Sequence, residues 1–372
     1  MIAATLSIIS EPAAAAAGNQ QPEILSTITG KLPAQLDTCA QKSREMRNAG
    51  KPETFMCTRP PKLEASQSPA AKAAAAAGPS SRICELIGDN MFGQLKKREE
   101  CVKSNRGLII VVGGKPVGEY DFHVTLYSAT NNTGLRSTMS IYITPYAATG
   151  TAASKQWRAN GRSFCEGDCT TQGSFGYTRM SLGQTVQGDF IVDSLLSPTG
   201  GPQIREGAPY VDYFIGTVGE GPVQFSDSLI IPIRCDNVLK GNIGPGCVFR
   251  GNGLLVYQPA EVPELVNHIQ HAQSLGIAGN ATTGPLHRET DDAKISQNRN
   301  KACPSSLPRP EGQECDEYAF ASTKEGAASG GPYDAEMIDG EQNRLGGTQL
   351  ASMYLQQRML DNDHFYVIFY EL

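Results

Sequence analysis

The sequence predicts an α+β protein in which an antiparallel β-sandwich-like domain precedes a small domain of mixed helices and strands. Residues 107–257 hold many short β-branched and aromatic segments that glycine-rich turns separate. A helix pattern begins near residue 260, and the final segment follows the order strand, loop, helix and strand. A chain of 372 residues is long enough for two domains.

Composition and charge limit the class of protein. Apolar residues make up 40% and charged residues 19% of the chain, which is typical of a globular protein. The net charge is −6. An acidic net charge disfavours nucleic-acid binding, because nucleic-acid-binding proteins neutralise phosphates with Lys and Arg.

The first segment, 1–81, is expected to be a disordered or low-complexity region. The stretch SPAAKAAAAAGPSS, from Ser68 to Ser81, is typical of a linker. The start has a short apolar run and small residues, as a signal peptide has, but the first lysine is Lys31 and a basic beginning is missing. No apolar run reaches the length of about 18 residues that a membrane-spanning helix needs.

The second segment, 82–258, is the predicted β-rich domain. Segments such as GEYDFHVTLYSA and APYVDYFIGTV alternate inward and outward residues, and NNTG and SPTGG read as turns. His123 lies in a strand without an obvious partner, so a packed or surface histidine is favoured over a ligand. The CEGDC stretch from Cys165 to Cys169 could close a tight loop or bind a metal.

Ten cysteines and the absence of a paired CxxC pattern favour disulfides, and hence export, over free buried thiols. Two pairs are expected to be bonded, and each closes a loop of about a dozen residues worth roughly 3 kcal/mol. These pairs are Cys235 with Cys247 and Cys303 with Cys315. Cys84 with Cys101 and Cys165 with Cys169 are further candidate pairs.

Residues 259–283 are predicted to be a connecting helix and linker. Pro263 suits the first turn of a helix and Gly276 its end. His268 and His271 are three residues apart and could share a helix face. This spacing could seed a zinc site, but no further ligand is evident, so solvated histidines are favoured.

The last segment, 284–372, contains the stretch GQECDEYAFASTKEGA. YAFAS is a plausible short strand, a helix is expected from about residue 348 to 360, and HFYVIFYEL is a strong terminal strand. Asp316 and Glu317 are adjacent acids, and residue chemistry alone does not decide their role. They could be solvated surface charge or the acid/base end of a catalytic site.

Several motifs in this segment resemble the NucA/NucB deoxyribonuclease domain. CDEYAFAST is similar to the family's Cys-Asp-Glu-aromatic-Pro-Phe-Ala-Ser-Thr stretch, EQNRLGG to its acid-Asn-Arg-Gly element, and RMLDNDHF to its RxLDGDPF ending. Ala319 and His364 stand where the family has proline. Longer bacterial members also carry a β-rich region before the nuclease, as this chain does.

The resemblance implies a small ββα-metal-like nuclease fold that cuts a phosphodiester with one divalent cation, Mg²⁺ or Mn²⁺, and one general base. Asp316 matches the family's catalytic acid and is the expected general base. Glu317 should face the opposite side of the strand, where it could fix Arg344, the candidate phosphate clamp. The expected oxygen ligands for the metal are Glu341, Asn343 and Gln349.

Substrate binding is harder to reconcile with the local charge. Residues 284–372 contain eight basic and fifteen acidic residues, a net of −7. A basic patch would offset this charge if the basic residues cluster. The expected DNA contacts are Arg288, Arg299 and Lys301, with Lys294 and Arg309 as further members of the patch.

The function predicted on this basis is a secreted, metal-dependent endonuclease that hydrolyses DNA with little sequence specificity. DNA is the expected substrate, and an inhibitor or immunity protein is a conceivable partner. The alternative is a secreted β-rich binding or structural protein whose nuclease-like domain is degenerate. The acidic surface and the two missing prolines favour the alternative, whereas the intact CDEY and QNR elements oppose it.

Overall fold

A computed structural model describes residues 28–50, 54–61, 66–241 and 243–370. The N-terminal stretch that has some features of a signal peptide but lacks a basic beginning lies outside these residues. The α-helices in the described ranges are α1 (Cys39–Asn48), α2 (Pro69–Ala76), α3 (Arg82–Leu86), α4 (Pro263–Ser274), α5 (Asp292–Ala302) and α6 (Gly340–Gln356). None of these helices combines the length and apolar character that a membrane crossing requires.

The strands of the first half are β1 (Ile28–Lys31), β2 (Phe55–Thr58), β3 (Met91–Leu95), β4 (Glu99–Val112), β5 (Lys115–Ala129), β6 (Arg136–Gly150), β7 (Trp157–Gly167), β8 (Cys169–Gln172), β9 (Ser174–Met180) and β10 (Val186–Ser194). The remaining strands are β11 (Ile204–Thr217), β12 (Gly221–Ser228), β13 (Ile233–Asp236), β14 (Gly246–Phe249), β15 (Gly253–Tyr257), β16 (Leu286–His287), β17 (Gln313–Tyr318), β18 (Asp334–Asp339) and β19 (His364–Phe369). The protein is therefore α+β with mostly antiparallel sheets, as predicted.

Two large antiparallel sheets share one apolar core. The first has the order β1-β3-β4-β5-β6-β10-β8, with β2 on β4, and the second has the order β14-β13-β11-β7-β9, with β12 on β11. Alternate residues of each strand point inward, so Phe122 of the first sheet meets Phe225 of the second with 5.5 Å between the ring centroids.

The described parts of the segment before residue 82 contain strands and helices that the sequence did not predict. β1 pairs with β3, β2 pairs with β4, and a disulfide joins Cys39 to Cys57. The expected linker contains α2, whose Ala71 and Ala74 pack against Tyr146. Alanine side chains are small enough for a helix to lie flat on a sheet, and this tertiary contact is not visible in composition.

The C-terminal part has its own core, and the predicted linker belongs to it. β15 pairs in parallel with the terminal strand β19, and α4 buries its apolar stripe in the same cluster. The predicted boundaries at 259–283 therefore divide elements that pack together. The helix predicted over 348–360 is displaced, because α6 begins at Gly340 and ends at Gln356. The missing side chain of Gly346 leaves room for Leu265.

All ten cysteines are paired. The four pairs considered from sequence are present, Cys84–Cys101, Cys165–Cys169, Cys235–Cys247 and Cys303–Cys315, and Cys39–Cys57 is the fifth. Within the second large sheet, Cys235 and Cys247 lie directly opposite each other on β13 and β14.

Buried ion pairs connect the β-rich part to the C-terminal part. The guanidinium of Arg358 is fully buried, contacts both carboxylate oxygens of Asp236, and donates to the carbonyls of Asn132 and Gly244. Nearby, Asp363 accepts from Arg234 at 2.7 Å and from Lys97 at 3.0 Å. These contacts fix the chain that leads into β19.

One buried carboxyl of the β-rich part should make stability depend on pH. Burial raises the pKa of Glu100 to about 8, although the amides of Ile230 and Ile231 donate to it. The unfolded chain ionises this group from about pH 4.5 upward while the folded protein keeps its proton. The free energy of unfolding should therefore decrease as the pH rises from about 5 to about 8, by up to about 1.4 kcal/mol per pH unit.

Glu100→Gln should remove this part of the slope, because a neutral amide oxygen still accepts from Ile230. Urea unfolding at several pH values in this window measures it, with the exposed Glu85→Gln as the control. Equal slopes in the two variants would contradict the assignment.

Candidate functional site

A cleft of about 750 Å³ lies in the C-terminal part, among the β17–β18 hairpin, α5 and α6. Its floor is aromatic and aliphatic, with Tyr257, Phe320 and Tyr354. Its polar lining consists of Arg299, Asn300, Ser305, Arg309, Glu314, Asp316, Glu317, Ser322, Asn343 and Arg344. Carboxylates, guanidinium groups and two amides are therefore gathered in one open concavity.

The hairpin presents Asp316 and Glu317 to opposite helices. Asp316 lies opposite Glu336 in the ladder, and its Oδ2 is 2.6 Å from Nδ1 of His268 on α4. Glu317 points the other way, where its Oε1 is 3.8 Å from Nε of Arg299 on α5. Strand alternation thus holds, but the cleft reaches both faces, so Glu317 lines it together with Asp316.

His268 is a site residue that the sequence interpretation placed in solvent. Its relative exposure is 1%, because it lies on the apolar face of α4 between Leu265 and Ile269. Burial disfavours the imidazolium, but the hydrogen bond and charge of Asp316, with the charges of Asp334 and Glu336, give a net rise in the pKa of His268. The position of His268 within the apolar stripe was the available signal.

His271 remains on the surface, as expected, and its Nδ1 is 2.9 Å from Oδ2 of Asp334. Burial raises the pKa of Asp316 and the hydrogen bond to His268 opposes the rise. The buried hydrogen bond between His268 and Asp316 ties one oxygen of Asp316 away from the cleft.

Glu317 has the electrostatics of a proton acceptor that works near neutral pH. Burial raises the pKa of Glu317 to about 7, and the charge of Asp316 adds to the rise, while Arg299 opposes it. Groups with such a pKa are well matched to general base catalysis at physiological pH.

Three arginines line the cleft. Arg344 pairs with Glu314, not with Glu317 as the sequence interpretation suggested. Arg309 donates to the carbonyl of Cys303 at 3.3 Å, and Arg299 is largely exposed. Guanidinium groups bind phosphate oxygens through two parallel hydrogen bonds, so this trio can hold a phosphodiester.

Two of the expected DNA contacts do not line this cleft. Arg288 lies over the ring of Tyr354 at 4.3 Å and donates to the carbonyl of Met359. Lys301 lies 5.8 Å from the ring centroid of Tyr333. Of the three predicted substrate contacts, only Arg299 lines the cleft.

The expected metal ligands are not brought together. Asn343 lines the cleft, but Glu341 is exposed in the first turn of α6, and Gln349 donates to Glu261 at 3.2 Å. Residues 341 and 349 fall off the helix face that carries 343, 347 and 350, because an α-helix turns about 100° per residue. In the part of the chain that the structure describes, no three His, Cys, Asp or Glu side chains form a metal-binding group.

A disulfide fixes the two elements that carry the acids and one arginine. Cys303 ends α5 and is bonded to Cys315 on β17, one residue before Asp316. The neighbouring Asn298 donates to the carbonyls of Ala321 and Thr323, which close the turn after the hairpin strand. The position of Arg299 relative to Glu317 is therefore set by covalent and hydrogen-bonded supports.

Comparison with known families agrees with this geometry. The family model described as Deoxyribonuclease NucA/NucB matches residues 268–368, which begin at His268 and include the two acids, the three cleft arginines and all but the last residue of β19. None of the curated proteins compared with the chain matches it. The chain thus carries, behind its β-rich region, a C-terminal domain of the NucA/NucB deoxyribonuclease family, an enzyme domain that hydrolyses DNA.

Proposed function

We propose that the protein is an exported, metal-dependent endonuclease that cuts DNA phosphodiester bonds with little base specificity. The observation that carries the proposal is the cleft that joins Asp316 and Glu317 to three arginines within the family-matched domain. The five disulfides support export, because such bonds persist in oxidising compartments.

The architecture behind this function is proposed as a β-sandwich-like domain followed by a ββα-metal-like domain. The two large sheets that share one core support the first part. The hairpin of β17 and β18, which leads directly into α6, supports the second. We place the boundary before β15, since this strand pairs with β19 and not with the large sheets.

In the proposed reaction, Arg299, Arg309 and Arg344 hold the phosphate of the substrate through charge-assisted hydrogen bonds. Glu317 accepts the proton of the water that attacks phosphorus, and the bond to one sugar oxygen breaks. Contacts of this kind go to the DNA backbone and carry no base information, which supports low specificity.

Asp316 acts beside Glu317 as a second carboxylate. Its pair with His268 holds it in place at the base of the hairpin. Burial raises the pKa of Glu317 to about 7 and the charge of Asp316 adds to this rise, so Glu317 can take up a proton near neutral pH.

The cleft offers oxygen atoms of the kind that a hard divalent cation prefers, although both oxygens of Glu314 are engaged by Arg344 and Asn343. The amide nitrogen of Asn343 donates to Glu314 and to the carbonyl of Cys315, and within the described residues its Oδ1 has no partner. Asn343 and Glu314 would hold Mg²⁺ or Mn²⁺ through oxygen atoms, the ligands these ions prefer. A bound cation would supply charge stabilisation for the phosphate and the leaving oxygen.

Removing cleft arginines should weaken substrate binding more than turnover. Arg309→Gln with Arg344→Gln should raise KM for DNA cleavage by about tenfold or more, because charge-assisted phosphate contacts are lost. Steady-state cleavage of labelled duplex DNA measures this. The matched control is Lys301→Gln, an exposed basic residue of the same domain outside the cleft.

An unchanged KM in the double variant would mean that the phosphate is held elsewhere. Binding of DNA by the wild-type protein without any cleavage would favour the alternative function, a binding protein with a degenerate nuclease-like domain.

A further inference from the structure

The second large sheet has six strands, and its outer face carries side chains that take no part in the packing of the core. On β7 and β11 the inward residues, such as Ala159, Val211 and Tyr213, are buried in the shared core. The residues between them point to solvent. A solvated sheet face is usually polar, whereas this one combines three arginines and Asp212 with aromatic rings.

Three arginines on this face lack carboxylate partners. Arg158 of β7 lies directly opposite Arg179 of β9, and Arg162 lies four residues along β7. All three are exposed, and none forms an ion pair within the described ranges. Asp212 is opposite Arg162 in the ladder, but its carboxylate accepts from Gln224 at 3.2 Å. Like charges directly opposite each other destabilise a sheet, so the fold alone does not explain this arrangement.

Aromatic rings alternate with these arginines. Phe164 and Tyr210 stack with their centroids 5.3 Å apart, and the guanidinium of Arg162 lies 4.6 Å from the Phe164 centroid. Tyr177 is 72% exposed. A groove of about 290 Å³ runs along Arg158, Tyr177 and Phe214.

We propose that this face binds single-stranded DNA. Its arginines match the charge of phosphates, and its exposed rings offer surfaces on which unpaired bases stack. Bases in a duplex are already stacked on one another, so exposed rings on a sheet match an unpaired strand better. The choice of DNA as the polyanion rests on the proposed function.

A DNA-binding site on this sheet also accounts for how a nuclease with an acidic catalytic domain holds its substrate. The last 89 residues, 284–372, carry a net charge of −7, which disfavours binding of a polyanion by the catalytic domain alone. A site on the β-rich part would keep long or frayed DNA attached to the protein while the cleft acts on one bond at a time.

The test measures the equilibrium affinity of the full chain for a fluorescent oligothymidine of about 20 nucleotides. Binding is detected by fluorescence anisotropy, and a chelator is present to prevent cleavage. Arg158→Gln, Arg162→Gln and Arg179→Gln together should weaken binding by roughly 30- to 100-fold. They should also lower the slope of log affinity against log salt by about 2, since about 0.7 is expected for each phosphate contact. Tyr177→Ala should weaken binding about tenfold and leave the salt slope unchanged.

The matched control removes the same charge elsewhere. Arg44, Arg47 and Lys115 are exposed and have no ion pair within the described residues. Their replacement by Gln should change affinity by less than about twofold. Equal losses in the control and the sheet variant would overturn the inference, as would a sheet variant that loses affinity for duplex DNA as much as for the single strand.

A second readout separates this inference from the proposed function. Hydrolysis of bis(p-nitrophenyl) phosphate, which is too small to reach the sheet, should be the same in the sheet variant and the wild type. Loss of oligothymidine binding with this hydrolysis unchanged supports the inference. Absence of hydrolysis in the wild type, with the predicted loss of binding in the variant, would defeat the proposed function and leave the binding face in place.

Discussion

Glu317→Gln should lower kcat for DNA cleavage by about 100-fold or more, within the range that general base catalysis contributes. Gln keeps the shape of the side chain but cannot accept a proton. Because burial holds the pKa of Glu317 at about 7, the wild-type rate should rise with pH through about 7 and then level off. In the variant this rise should be absent.

Two comparisons make the result specific. Glu311→Gln removes the same charge from an exposed position before β17 and should leave the rate and its pH profile unchanged. Asp316→Asn should also lower activity, but the rise with pH should persist. If Asp316→Asn abolished the rise and Glu317→Gln preserved it, Asp316 would be the base, as the family resemblance first implied.

Arg358→Met should reduce the free energy of unfolding by about 3–5 kcal/mol, the usual effect of removing one partner of a buried ion pair. Asp236 is fully buried and would lose the guanidinium that contacts both of its oxygens, which leaves Arg234, at 3.7 Å, as its remaining cationic neighbour. The carbonyls of Asn132 and Gly244 would also lose their donor. Urea unfolding at neutral pH measures the change.

A second substitution separates loss of the ion pair from loss of packing. Combining Arg358→Met with Asp236→Leu should recover part of the stability, because a buried pair can often be replaced by apolar residues. A cost below about 1 kcal/mol for Arg358→Met would show that the pair does not join the two parts of the protein.

The large sheets were predictable because their strands are half-buried. Alternation such as that of Val211, Tyr213 and Ile215 between exposed neighbours is a local pattern, and it survives in the structure. The α4 helix was equally predictable, since it begins at Pro263 and carries an apolar stripe. Cysteines twelve residues apart, such as Cys303 and Cys315, were close enough in sequence to suggest their bond.

What the sequence did not reveal depends on contacts between distant segments. His268 meets Asp316 from 48 residues away, and neither neighbourhood indicates the pair by itself. Strand alternation correctly separated Asp316 from Glu317, but it could not show that one cleft reaches both faces. The sequence did not predict that α6 starts before residue 348, because Gly346 is a poor helix former. In the structure the missing side chain at Gly346 allows the close approach of Leu265.

The most direct test of the account is cleavage of supercoiled plasmid by the purified protein with Mg²⁺ or Mn²⁺, with and without a chelator. The account predicts nicked and linear products that depend on the added cation. It also predicts that Asp316→Asn combined with Glu317→Gln, in a protein that unfolds at the wild-type temperature, produces none. Plasmid left intact by the wild-type protein with either cation, or cut equally by the double variant, would contradict the assignment of catalysis to this cleft.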